Sequence, residues 1–208
     1  MCTRYYMESS PELRPYVEKA KESSLTMKLV TRLGRPLRES GDVRPTDIAP
    51  VIAPSSKRHS PAVFPMVWGF TNPRGGSPIV NCRTETASSK QFWQDSWRQR
   101  RCIIPASYYY EWSGEYRTDG TKQKYLLQPK DSSITFLAGL YRIEERNGLQ
   151  IPVFTVLTRE PGESIRFIHD RMPVILPKES VRDWIDPDSN PEQVVRAAIA
   201  EIYFEKTD

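Results

Sequence analysis

The chain has 208 residues, a length that suits one β-rich domain, and its 30 basic and 26 acidic side chains leave a net charge of +4, which excludes a strongly cationic packaging protein and requires any anion site to be a local cluster. Seven Phe, five Trp and ten Tyr exclude disorder, and three cysteines without a C-x-x-C pair exclude a disulfide framework or a zinc site and fit a reducing compartment. Without an apolar run of about 18 residues or a signal-peptide pattern, the expectation is a cytoplasmic protein with no membrane association, no metal and no cofactor.

Leu13, Tyr16, Val17 and Ala20 recur at helical spacing, which predicts a short helix from about Pro15, with the proline in its first turn. Prolines 36, 45, 50, 54 and 61 make 34–61 an extended, irregular wrap with one short strand near Asp47–Ala53. Strands are expected at 62–70 and 79–83, joined by the turn-rich 71-TNPRGGSP-78. Ser88 or Ser89 is expected to cap a helix reaching about Arg100, with Phe92, Trp93 and Trp97 on its apolar face. Strands follow at 102–106, 107–112, 124–128, 134–143 and 150–158, with Asp119-Gly120 and Asn147-Gly148 as turns. Two helices close the chain, one near 178–185 and one capped by Asn190, with Pro191 at its first position, expected to bury Val195, Ala198, Ile199 and Ile202. The fold class is α+β: one domain over 1–208, with a mostly antiparallel β core and short helices around it.

Several residues carry potential chemistry. If Met1 is removed, Cys2 presents an α-amine and a thiol on adjacent carbons, a 1,2-aminothiol that closes a thiazolidine on an aldehyde; the alternative is a cysteine by chance in a frayed terminus. His169, in 168-IHDRMPVIL-176, is either a proton carrier or a hydrogen-bonded structural histidine; His59, in 55-SSKRHS-60, reads as a solvated turn. In 108-YYYEW-112 strand alternation puts Tyr109 and Glu111 on one face, so Glu111 is either an acid of raised pKa among aromatics or an edge charge facing water. Read as a strand, 81-NCRTE-85 aligns Asn81, Arg83 and Glu85, as a site or as a solvent face. Arg83, Lys90, Arg98, Arg100 and Arg101 form a modest basic region. Cys82 and Cys102 read as buried thiols.

In order, Met1-Cys2, 81-NCRTET-86, 109-YYEW-112 and 169-HDRMP-173, with 44-RPT-46, 67-VWGF-70 and 158-TRE-160 in support, resemble the SRAP family of SOS-response-associated peptidases, or abasic-site processing proteins. The resemblance implies a DNA-damage-response protein that binds single-stranded DNA in a positive cleft and crosslinks the aldehyde of an abasic site through Cys2, with lyase-like and self-processing activity. It implies that Asn81 holds the terminus and the opened sugar, Glu111 serves as acid and base, and His169 moves protons at the sugar. Arg4, Arg83 and Arg171 would bind phosphates, with Thr158 lining the cleft and Lys90 in the basic region. Thr3 stands where the family usually has glycine. The 71–78 loop lacks the aromatics of better-known members, and Arg74 offers a phosphate contact there. A monomer is expected. Two other classes stay open: an N-terminal-cysteine amidohydrolase or cysteine peptidase, including self-cleavage of Met1, and a noncatalytic single-strand-binding module.

Overall fold

A computed structural model describes residues 2–55, 60–146 and 148–207. Met1, His59 with its turn, and Asn147 of the Asn147-Gly148 turn lie outside them. The chain opens with β1 (Tyr5–Met7) and α1 (Arg14–Lys21), whose Pro15 sits in the first turn and whose Val17 and Ala20 are buried. A helix that the sequence reading lacked follows, α2 (Ser24–Leu33); the Ser23 hydroxyl accepts from the Leu25 amide and Gly34 ends it at φ 63°, a left-handed conformation in which glycine carries no Cβ penalty.

The stretch expected to be irregular holds two strands, β2 (Gly41–Val43) and the nearly fully buried β3 (Ile48–Pro54), before β4 (Pro61–Trp68). Its prolines are placed by register: Pro50 lies across from Pro65 and Pro54 from Pro61. Proline has no N–H to give to a ladder, so it fits where pairing on the other side of the strand stops, and β3 meets its other neighbour at the single pair Ile52 and Ile103. Next come β5 (Asn81–Arg83), α3 (Thr84–Ala87) and α4 (Gln91–Gln99). The strand ends at Arg83, as read, but the alternation extended to Glu85 does not hold, because the chain turns into α3 and Glu85 leaves the Asn81–Arg83 face. Lys90, not Ser88 or Ser89, occupies the cap of α4, and its side chain makes no capping bond; Trp93 and Trp97 are buried as expected.

The remaining strands are β6 (Arg101–Ala106), β7 (Tyr108–Tyr116), β8 (Lys122–Pro129), β9 (Thr135–Arg146), β10 (Leu149–Arg159), β11 (Met172–Pro173) and β12 (Ile175–Leu176). Two short helices, α5 (Val181–Ile185) and α6 (Pro191–Arg196), precede β13 (Ile202–Thr207). The Asn190 side chain caps α6 as expected, but that helix stops at Arg196 and Ile202 opens a strand. The alternating, β-branched and aromatic run 202-IYFEKT-207 favours an edge of a sheet over further helical turns.

Strands β10, β4, β3, β6 and β9 hydrogen-bond in that order, and β9 pairs back to β10, closing a five-stranded ring in which the β10–β4 pair alone is parallel. A second, antiparallel sheet runs β13-β8-β7-β1-β2. One core cluster fills the ring and the space below the second sheet, with Cys2, Tyr5, Val51, Trp68, Cys102, Ile104, Tyr109 and Phe154 among its members; the other lies under the helices, with Leu29, Ile52, Val67, Trp97, Ile103 and Trp184. The period of two along β3 and β6 sorts neighbouring residues between them. The ring is tightly filled: a Cβ at Gly139 would meet Ile104 Cδ1 and the Thr155 carbonyl oxygen, each at 2.6 Å. No helix among the described residues is long and apolar enough to cross a membrane.

Candidate functional site

The N-terminus is drawn inward by backbone pairing. Tyr5 and Tyr6 lie across from Tyr109 and Tyr108, and the Tyr110 amide donates to the Arg4 carbonyl at 3.0 Å. This carries Cys2 past the surface to full burial. Its carbonyl accepts a hydrogen bond from Asn81 Nδ2 at 2.8 Å, and its Sγ lies 3.7 Å from the Arg4 carbonyl as a weak donor. Burial pushes the Cys2 thiol far above the ordinary cysteine range, and the nearby Glu111 charge adds to this, so the sulfur is a neutral thiol.

Strand alternation in β7 holds as read: Tyr108, Tyr110 and Trp112 contact one another on one face, while Tyr109 and Glu111 turn inward. Glu111 is only 4% exposed. Burial pushes its carboxyl up to about 7, where it can give and take protons at neutral pH. Asn81 comes from β5, which runs parallel to β10 with Asn81 beside Val156. Two residues on, Thr158 of β10 is flanked by Arg83 on one side and Pro173 of β11 on the other. The β10 strand therefore holds the Asn81 segment and the His169–Pro173 segment together.

His169 Nδ1 lies 3.0 Å from the Arg171 amide and 2.7 Å from Asp170 Oδ1. One nitrogen cannot accept from the amide and donate to the carboxylate in the same protonation state. Burial lowers the imidazole pKa from its ordinary value, with Asp170 opposing. The neutral ring thus accepts the Arg171 amide at Nδ1 and carries its proton on Nε2, and the Asp170 contact belongs to the protonated form. Glu111 feels the charge of Asp170, and the Cys2 thiol feels that of Glu111. Cys2 and Asn81 are thus in contact, Glu111 lies within electrostatic reach of Cys2, and His169 is linked to Glu111 through the charge of its neighbour Asp170.

The cationic residues divide. Arg4 lies with its guanidinium carbon 5.1 Å above the Trp112 ring and its Nη1 3.6 Å from Asp42 Oδ2. Exposed Arg83, with Glu160, Pro161, Arg166, Asp170 and Arg171, lines a surface cavity of about 360 Å³. Within it Arg171 is already committed: Nη1 and Nη2 donate to Glu85 at 2.6 and 2.9 Å, and Nη2 donates to the Thr158 carbonyl at 2.7 Å. It clamps α3, β10 and the His169 segment, so much of its charge is spent before any phosphate arrives.

Thr158, expected to line a cleft, is fully buried and donates to the Cys82 carbonyl at 3.4 Å. Arg101, read as part of the basic region, is also interior; its guanidinium donates to the carbonyls of Trp97, Arg98, Trp184, Asp186 and Ser189. Arg100 pairs with Asp95. Arg74 lies on the exposed turn after Phe70, its amide bonded to Asn72, and Lys90 sits at the start of α4; among the described residues neither bonds to Cys2, Asn81, Glu111 or His169. Cys82 and Cys102 are buried thiols of raised pKa.

Sequence reading missed Tyr5 and Tyr109. Both are fully buried, their hydroxyls have no hydrogen-bond partner among the described residues, and both feel Cys2 electrostatically. The alternation that turned Glu111 inward carried the same message for Tyr109.

The model of the family described as SOS response associated peptidase (SRAP) matches residues 1–206. Among curated relatives, abasic site processing protein YoaM of Bacillus subtilis is 35% identical over 127 residues, 58% of this chain and 55% of its own. Abasic site processing protein YMR114C of Saccharomyces cerevisiae is 28% identical over 162 residues, 73% and 41% of the two chains. Abasic site processing protein HMCES of Xenopus tropicalis is 32% identical over 127 residues, 51% and 37%. The match thus spans about half the length of YoaM and less of the other two. A crystal structure of a Bacteroides thetaiotaomicron protein superposes with a TM-score of 0.75 at 20% identity, covering 100% of this chain and 92% of the other. A phage-related protein of Bordetella bronchiseptica gives 0.71 at 22% identity, covering 99% and 94%; at such identities these two share the fold. With the family model matched over residues 1–206 of 208, the protein belongs to the SOS response associated peptidase family.

Proposed function

We propose that this protein captures abasic sites in single-stranded DNA by forming a thiazolidine through Cys2. The observation that carries this reading is a buried carboxyl, Glu111, with a pKa of about 7 beside a cysteine whose carbonyl is fixed by Asn81. Removal of Met1 is its prerequisite, since only then does Cys2 bear a free amine. The names of YoaM, YMR114C and HMCES support the substrate class.

The thiol's raised pKa sets the order of steps. The neutral amine of Cys2 adds to the aldehyde carbon of the ring-opened sugar. Protonated Glu111 gives its proton to the resulting hydroxyl, water leaves, and an iminium remains beside a carboxylate. That carboxylate takes the thiol proton as sulfur attacks the iminium carbon, which closes the ring and restores Glu111; the sum is loss of one water. His169, neutral at pH 7, takes the hydroxyl proton of the closed sugar and returns it to the ring oxygen, which frees the aldehyde. Arg83 and Arg4 bind flanking phosphates. A neutral thiol weighs against the amidohydrolase reading, in which sulfur must attack first as thiolate.

Incubating the Met1-processed protein with an oligonucleotide carrying one abasic site should yield an adduct that survives heat and denaturant. A Cys2→Ala variant that gives the same adduct would defeat the assignment. Noncovalent affinity should fall steeply with salt, as phosphate contacts require.

A further inference from the structure

We propose that Phe167 is a stacking platform for the nucleobase next to the abasic position, an inference that rests on the function proposed above. Phe167 is 54% exposed, whereas Ile165 and Ile168 beside it are each 3% exposed. The turn is fixed by the Ile168 and His169 amides, which both donate to the Ile165 carbonyl, at 2.9 and 3.4 Å. The backbone thus drives its aliphatic neighbours inward and presents this ring to solvent two residues ahead of His169.

The ring is held on edge. It meets Tyr125 at a centroid distance of 5.8 Å and an interplanar angle of 85°, and Phe204 at 5.3 Å and 70°. Such T-shaped contacts brace a ring through its rim or through one face and leave area for another aromatic. Tyr125, 1% exposed, is the cross-strand partner of Glu111 in the β7–β8 pair and so shares its inward face. The cluster is therefore tied to Glu111 through Tyr125 and to His169 through the chain itself. The charge of Lys122 also reaches His169, which gives the same edge of the site a cation for the strand's backbone.

The occupant follows from the chemistry of the lesion. An abasic nucleotide leaves the adjoining base without a stacking partner on one face. An exposed ring linked to Glu111 through Tyr125 and to His169 through the chain supplies one, and stacking of a base on a protein ring accounts for about 5- to 150-fold in affinity.

The test uses single-stranded oligonucleotides with a tetrahydrofuran abasic analogue, which has no aldehyde and cannot crosslink, and 2-aminopurine immediately 5′ or 3′ of it. Wild-type protein should quench one of the two probes on binding. Phe167→Ala should abolish that quenching and weaken binding about 5- to 150-fold, and Phe167→Trp should restore both. Binding by the wild type with unaltered quenching and affinity in Phe167→Ala would overturn the platform and leave the proposed function standing. Failure of the wild type to bind any single strand would refute both. Loss of binding in Phe167→Ala and Phe167→Trp alike, with native circular dichroism and no probe quenched by the wild type, would mark the ring as packing only and overturn the platform.

Discussion

Replacing Glu111 with glutamine removes the titration of a carboxyl that the fold holds at about 7 against an ordinary 4.5. A raised folded pKa means that the group's contribution to stability is fully present below about pH 4.5 and is lost as pH rises through about 7. The loss approaches about 3 kcal/mol above pH 8, with about 1 kcal/mol already gone at pH 5. Glu111 is nearly inaccessible, so solvent screening removes little of this. Glutamine keeps the shape without the charge, and the stability of Glu111→Gln relative to wild type should therefore rise by about 2–3 kcal/mol between pH 5 and pH 8.5. For a chain of this length that is roughly 4–12 °C in Tm. Urea and thermal melts of both proteins across that range measure it. A difference that does not vary with pH, or one that moves against glutamine as pH rises, would refute the placement of Glu111 in a desolvated site. The same variant should form the abasic adduct about 10²- to 10⁴-fold more slowly, which would make this position one where stability is given up for chemistry.

Asn81→Ala removes the 2.8 Å bond to the Cys2 carbonyl and should slow adduct formation about 5- to 100-fold, read by denaturing gel time courses; an unchanged rate would show that the amide does not position the terminus. Arg101→Met leaves several buried carbonyls without donors and should destabilise by about 3–5 kcal/mol in a thermal melt. Arg171→Ala unfastens Glu85 and the Thr158 carbonyl and should cost about 1–3 kcal/mol in urea melts, with faster amide exchange over 169–173. Because the His169 pKa is lowered, any strand-cleavage step that uses the neutral imidazole should keep its rate below the ordinary histidine range as pH falls; a fall in rate centred above pH 6.5 would contradict that.

The parts of this molecule that were legible in the sequence are those where a short-range period meets a strong contrast. The aromatic alternation around Glu111 told which side chains turn inward, and Asn190-Pro191 marked the start of α6. Helix α2 escaped because its apolar signal is thin: Leu29 is its one buried residue. The C-terminal strand escaped because Val195, Ala198, Ile199 and Ile202 keep a helical spacing across a boundary that only pairing with β8 fixes. Partners distant in sequence were not legible. Nothing local says that Arg171 will meet Glu85 across 86 positions, or that Arg101 will turn inward to solvate carbonyls from three segments. The convergence of the candidate site likewise depends on β5 running beside β10, a parallel pairing with no signature in either segment.

Mass spectrometry of the intact protein before and after incubation with an abasic single-stranded oligonucleotide, followed by peptide mapping of the product, bears most directly on the proposed chemistry. The prediction is loss of Met1, then a species equal to protein plus oligonucleotide less one water, with the modification on Cys2. A stable adduct mapped to a lysine, or an adduct formed equally well by chains that retain Met1, would contradict it.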